Sequence, residues 1–298
     1  RKNIKTESGA PGSQRVRERC LQLLQQQPGL DLTALDDSLQ AYSGLIQRWN
    51  PMASLVSSRD SEHLWLHIAD SLSLLPAVRS CGGASPRLFD IGSGAGFPAL
   101  PLALTCPELC FHMVERARKK AGFLELALGE LGLLQRGAVE QGGFPQEVSL
   151  DAPEGWLVTA RAIEKPGVVW KGLRELVRNG AVFLCQWPEL PPESLSMFHV
   201  EQIADDWTRR SLRRGALHIL RARDAVARPA AMFHVERPGA PSADPHSPIR
   251  ALPWTDGRYP RKNIPLLAGV IISPESPARA PFSSNITSRV HVLSQPHP

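Results

Sequence analysis
The chain lacks any apolar stretch long enough to cross a bilayer. Its longest uninterrupted runs, such as Leu266 to Ile272 (LLAGVII), fall far short of the roughly 18–20 residues needed. The first fifteen residues (RKNIKTESGAPGSQR) have no apolar signal core, so membrane insertion, a membrane partner and secretion are not expected. Cysteine is sparse. Cys20, Cys81, Cys106, Cys110 and Cys185 form an odd set with no Cys-x-x-Cys, which indicates neither a disulfide framework nor a zinc knuckle and fits a reducing cytoplasm. His63 and His67 make a lone i, i+4 pair, so no metal site is expected. Charge of one sign is also scarce where a catalytic body would lie. The formal +5 hints at a polyanionic partner, but residues 1–200 hold 20 Lys+Arg against 21 Asp+Glu, while residues 201–298 hold 14 against 8.

Proline and glycine, by contrast, are plentiful and unevenly placed. Thirteen of the 27 prolines follow Arg228, in a stretch with little hydrophobic periodicity, and a segment that cannot bury enough apolar area to offset its chain entropy reads this way. The expected organisation is a flexible leader over 1–13, a helical cap over 14–80, a catalytic domain over 81–228 and a Pro-rich basic tail, mostly disordered, over 229–298. The chain begins at Arg1 rather than Met, as a fragment or a mis-assigned start would. Leu35, Leu39, Tyr42, Ile46 and Trp49 recur at helical spacing, as do Val16, Cys20 and Leu24. Leu64, Ile68, Leu72 and Leu75 do the same after a candidate cap at Asp60. The period then shortens. RLFDI (87–91), CFHMVE (110–115), GAVE (137–140), WLVTA (156–160), AVFLC (181–185) and ALHIL (216–220) read as strands alternating with helices, which implies an α/β, Rossmann-like doubly wound, mostly parallel sheet.

Leu88 to Leu102 (LFDIGSGAGFPALPL) is the most informative stretch. A strand ends at Asp90-Ile91, glycines follow at 92, 94 and 96, and an apolar helix begins, so the backbone can take positive φ and approach a ligand at the sheet's carboxyl edge. A dinucleotide fingerprint would place its third glycine at 97, which is Phe97. The loop therefore suits S-adenosylmethionine better than NAD. Glu115 closes the next strand, 23 residues beyond Gly92, where a carboxylate can accept from two ribose hydroxyls; the alternative is an exposed acid paired with Arg116 or Lys119. Val139 and Glu140 end the third strand at the same edge, placed to flank an adenine. His67, Asp70 and Ser71 share one helical face, either shaping a pocket or fastening the cap to the sheet.

At these residues the chain resembles the RsmG/GidB family, bacterial class I S-adenosylmethionine-dependent methyltransferases that modify N7 of a guanine in 16S ribosomal RNA. RWNPMASLVSSRD (48–60), HIADSLSLL (67–75), FDIGSGAGFPALPLAL (89–104) and TARAI (159–163) carry the resemblance in order, with Glu115, Arg118-Lys119-Lys120 and Phe123-Leu124 between them. A further echo is RYPRKNIPL (258–266). The resemblance implies that Gly92 and Phe97 touch the cofactor, in the loop where Gly94 and Gly96 are already read as cofactor-binding, that Val139 and Glu140 hold its adenosine end, and that Arg161 sits beside the reaction site. It also implies a partner, 16S rRNA or the small ribosomal subunit, met by Arg118, Lys119, Lys120 and a pocket including His67, Asp70 and Ser71. No general base is needed at guanine N7, so Arg161 would position phosphate, base edge or cofactor carboxylate; the alternative is a structural ion pair. A cytoplasmic monomer is the expectation. The competing readings are a methyltransferase acting on another RNA or a small molecule, and an inactive paralogue.

The chain departs from the family pattern at Ser54-Leu55-Val56, where Asn-Leu-Thr is common, at Leu66, where Arg precedes His, at Ala138, and at Gln186-Trp187, where Lys-Gly is usual. One motif belongs to none of this. Met197 to Glu201 (MFHVE) recurs as Met232 to Glu236, and its codons can be written as a DNA palindrome, so the copies are either ordinary strand or a nucleotide-level site.

Overall fold
The computed structural model describes residues 11–25, 27, 29–150, 155–161, 166–187, 189–203 and 217–223, all within the unit Arg1–Leu252. The expected tail, the RYPRKNIPL echo and the second MFHVE lie outside the described residues. So does the expected leader as far as residue 10, and Pro11 already opens a helix.

The N-terminal part is helical: α1 (Pro11–Leu24), α2 (Leu32–Ala53), α3 (Ser58–Ser61), α4 (Leu64–Leu72) and α5 (Leu75–Gly82). Asp31 caps α2, its carboxylate accepting from the Thr33 and Ala34 N–H groups at 3.0 and 3.1 Å. The same helix ends at Ser54, whose φ of 49° is the left-handed conformation that glycine and asparagine adopt most readily. Asp60 is not the cap of α4. It lies inside α3, which Ser57 caps, while α4 starts after His63 without a side-chain cap. The helix expected to run through Leu75 also breaks in two, because the Ser73 hydroxyl turns back to the Asp70 carbonyl (2.6 Å) and Pro76 cannot donate into a continuing helix.

The rest alternates: β1 (Arg87–Ile91), α6 (Ala99–Thr105), β2 (Cys110–Glu115), α7 (Arg118–Glu130), β3 (Gly137–Gln141), β4 (Leu157–Ala160), α8 (Pro166–Arg178), β5 (Val182–Cys185), α9 (Ser194–Met197), β6 (Phe198–Ile203) and β7 (Leu217–Ala222). The sheet order is β3-β2-β1-β4-β5-β7-β6, parallel from β1 to β5, with β7 antiparallel to both β5 and β6. This is the class I methyltransferase arrangement. The first MFHVE is thus Met197 at the end of α9 followed by an edge strand.

Alternation along each strand builds two cores. Leu88, Met113, Leu157, Leu184 and Ile219 face one side, where α1, α2 and α4 to α7 pack in a continuous cluster. Phe89, Val114, Val158, Phe183 and Leu220 face the other, against α8. The helical segment therefore shares its core with the sheet. Strand order reverses between β1 and β4, the switch point at which open α/β sheets form a crevice at the carboxyl ends of their strands.

Candidate active site
At that crevice the β1–β2 ladder runs one step into the loop, the Gly92 and Ser93 N–H groups donating to the Val114 carbonyl at 2.8 and 3.2 Å. The chain then turns through Gly92, Gly94 and Gly96 at φ of 71°, 58° and 96°. Gly96 is closed sterically as well: a Cβ there would lie 2.4 Å from Leu100 Cδ1, so α6 packs directly beneath the loop. At Gly94 a Cβ would meet nothing nearer than the Gly92 carbonyl at 3.9 Å, which leaves that backbone facing open space.

Glu115 holds this loop. It is 6% exposed, and one carboxylate oxygen accepts from the Gly94 N–H (2.9 Å) while the other accepts from the Ala117 N–H (2.7 Å) at the start of α7. Its described partners are thus backbone groups, and each oxygen retains accepting capacity beyond that one bond. Asp90, fully buried one strand turn below, accepts from the Thr159 hydroxyl at 2.7 Å through Oδ1, while Oδ2 has no hydrogen-bond partner among the described residues. Burial pushes its pKa up to about 7, against the opposing pull of Thr159, Ser93 and Arg161.

The wall above the loop is built around Phe97. Tyr42 of α2 meets the ring edge-on at 5.4 Å, the His67 ring lies at 5.4 Å, and the Arg161 guanidinium carbon sits 5.3 Å from the Phe97 centroid, a cation–π contact. Tyr42 is fully buried and its hydroxyl donates to the Ala95 carbonyl at 2.8 Å, pinning the glycine loop to α2. Burial holds that phenol well above its usual pKa, so it stays the donor. Arg161 leaves β4 and donates to the His67 carbonyl (3.3 Å), the Ser71 hydroxyl (3.4 Å) and His67 Nδ1 (2.5 Å). A guanidinium can only donate, so Nδ1 is the acceptor and the ring proton belongs on Nε2, which lies 3.3 Å from an Asp60 carboxylate oxygen. Asp60 to His67 to Arg161 to Phe97 is one connected chain of contacts.

Residues 36–190 match the family described as rRNA small subunit methyltransferase G. The chain belongs to this family. Among its curated relatives, each named Ribosomal RNA small subunit methyltransferase G, the protein of Methylobacillus flagellatus is 35% identical over 175 residues, covering 57% of this chain and 80% of its own. That of Leptothrix cholodnii is 32% identical over 177 residues, 56% of this chain and 79% of its own. That of Nitrosospira multiformis reaches 45% over 107 residues, 35% of this chain and 47% of its own. This family member is an S-adenosylmethionine-dependent methyltransferase, and its cofactor is S-adenosylmethionine. The residues present fit that group: an open backbone cradle at Gly94, a buried carboxylate with accepting capacity at Glu115, and a buried Asp90 oxygen without a hydrogen-bond partner among the described residues.

The remaining expected residues are placed less uniformly. Val139 and Glu140 sit beside Met113 and Val114 in the ladder, and the Glu140 carboxylate lies 3.2 Å from His112 Nε2. The polar cluster on α4 divides. His67 and Ser71 engage Arg161, whereas Asp70 is 7% exposed, acts on the buried Cys20 of α1, and offers its carbonyl to Ser73 and Gln186. Arg118 and Lys119 are exposed and Lys120 half-buried in the first turn of α7, directly after the Glu115 anchor. Among the described residues no cluster of three metal-ligating side chains occurs, and no helix is long and apolar enough to cross a membrane.

Sequence reasoning gave no site role to Tyr42, Asp60, Asp90 and Thr159, and marked Gln186 and Trp187 only as departures from the family pattern. Asp90 carried a readable signal, an acid within an otherwise apolar strand. The others become visible only once α2, α3, β4 and the end of β5 are brought to the same crevice.

Proposed function
We propose that the chain methylates N7 of a guanine in 16S rRNA, with Gly92, Gly94, Gly96, Phe97, Glu115, Val139 and Glu140 holding S-adenosylmethionine and Arg161 positioning the reactants. The observation that carries this reading is the Arg161 guanidinium, held over the Phe97 ring at the mouth of the glycine loop by His67 and Ser71. Bound S-adenosylmethionine would supply an electrophilic sulfonium methyl group, and guanine N7 would take it through its in-plane lone pair without a general base as the S–CH3 bond breaks and S-adenosylhomocysteine leaves. The base ring gains positive charge in that step, so Arg161 does not stabilise the product; it orients a phosphate, a base edge or the cofactor carboxylate. His67 Nδ1 is committed to Arg161 and is not available as a base. Catalysis is then orientation and exclusion of water. Arg118, Lys119 and Lys120 add local phosphate contact at the positive end of α7.

The test is transfer of labelled methyl groups to small ribosomal subunits or free 16S rRNA by the purified protein, followed by nucleoside mass spectrometry. Label should appear as 7-methylguanosine; label at another atom would overturn the assignment. Gly92→Asp should abolish cofactor binding in a calorimeter, because it puts a charged side chain where φ is 71° at the strand exit.

A further inference from the structure
The two residues that follow β5 point to opposite faces of the sheet, as strand alternation requires, and both reach the surroundings of Arg161. On one face the Gln186 side-chain amide donates to the Asp70 carbonyl (2.7 Å) and lies 3.4 Å from the Ser73 hydroxyl, at the end of α4, the helix whose His67 and Ser71 hold the guanidinium. On the other face the Trp187 indole N–H donates to the Ala160 carbonyl at 2.6 Å, on the residue that precedes Arg161. Trp187 is 6% exposed and wedged edge-on against Trp170 (6.4 Å) and Phe183 (5.5 Å), so its N–H is aimed by a packed ring rather than by a mobile chain.

We propose that Gln186 and Trp187 form a clamp that positions Arg161 for methyl transfer, Trp187 fixing its backbone and Gln186 fixing the helix that holds its side chain. The inference rests on the reading of Arg161 as the group beside the reactants. A side chain on β4 is set by two restraints, the path of its own backbone and the carrier of its hydrogen-bond partners. Consecutive residues of one neighbouring strand end supply both, so a shift at 186–187 moves both together. Neither residue touches Phe97 or the glycine loop among the described contacts, so the clamp acts through Arg161 and leaves the cofactor cradle in place.

The test uses the full chain with Trp187→Phe, which keeps a packed ring and removes the N–H, and Gln186→Met, which keeps length and removes the donor. Gln186→Lys, which retains a donor, is the rescue. The clamp is expected to show as a drop in kcat of roughly ten- to a hundredfold in Trp187→Phe and Gln186→Met, the range that follows from misplacing a reacting group by about 1 Å. The loss should fall on kcat more than on cofactor Kd, and Gln186→Lys should recover most of kcat. Combining Trp187→Phe with Arg161→Ala should cost no more than Arg161→Ala alone, because the two act as one unit. Undiminished kcat in the single variants, or losses that add to that of Arg161→Ala, would overturn the clamp. A wild-type protein that binds cofactor and transfers nothing would instead sink the methyltransferase reading of Arg161. The crystal structure of Trp187→Phe then decides the clamp by itself: a displaced Arg161 supports it and an unmoved Arg161 overturns it.

Discussion
Tyr42 and Asp90 are the residues whose chemistry the glycine loop depends on from below and beside. Removing only the hydroxyl in Tyr42→Phe leaves the ring against Phe97 and strips a donor from the Ala95 carbonyl, a loss worth about 1 kcal/mol. Calorimetric cofactor Kd should rise roughly three- to tenfold with the fold intact by circular dichroism. Asp90 makes stability depend on pH with a definite sign. Its folded-state pKa is raised from 3.8 to about 7, so the folded chain keeps a proton that the unfolded chain releases. The contribution is present below the unfolded value and is lost as pH rises through about 7. Asp90→Asn cannot titrate, so its stability relative to wild type should grow between pH 4 and pH 8 in thermal melts; a constant difference would contradict the buried protonated acid. Spacing and residue type marked the glycines and Glu115, and the family resemblance marked Arg161. Neither could mark Tyr42 or Thr159, whose types are ordinary core and strand choices until Ala95 and Asp90 are placed beside them.

At the scale of elements, the glycine turn and the end of α2 carry the sharpest expectations. Gly96→Ala meets Leu100 at 2.4 Å with φ at 96°, so both packing and backbone resist it, and a loss of roughly 1–3 kcal/mol is expected in urea unfolding. Gly94→Ala has room in the fold and should cost less there, while weakening cofactor binding because its methyl group projects into the open cradle. Ser54→Asn should stabilise by a few tenths to about 1 kcal/mol, since Ser54 holds φ of 49° at the close of α2. Strand boundaries were largely legible: β1 and β2 run as their apolar runs indicated, because strands buried on both faces leave continuous hydrophobic signals. The α4–α5 break was not. Ser73 and Pro76 interrupt a pattern whose leucine spacing continues through both helices, and periodicity carries no trace of a backbone turn.

Across the whole molecule, the helical segment is part of the catalytic core: α1, α2 and α4 share one apolar cluster with the sheet, and through Tyr42 and His67 they reach the site itself. Thiol labelling reads out that integration. Cys20, Cys106 and Cys185 are buried with pKa values pushed up to about 12, chiefly by desolvation, while Cys81 and Cys110 are half-exposed. Native protein should therefore label quickly at Cys81 and Cys110 and slowly at the other three; fast labelling of Cys20 would mean that α1 opens independently of the sheet. Under the proposed function, the near balance of 20 basic against 21 acidic residues over 1–200 assigns RNA recognition to local groups such as Arg118, Lys119, Lys120 and Arg161 rather than to a general basic surface. The most direct test of that recognition is nucleoside mass spectrometry of 16S rRNA from a strain lacking this gene. One 7-methylguanosine should be lost and restored by the wild-type chain but not by Gly92→Asp, whereas an unchanged 7-methylguanosine content would contradict the proposed function.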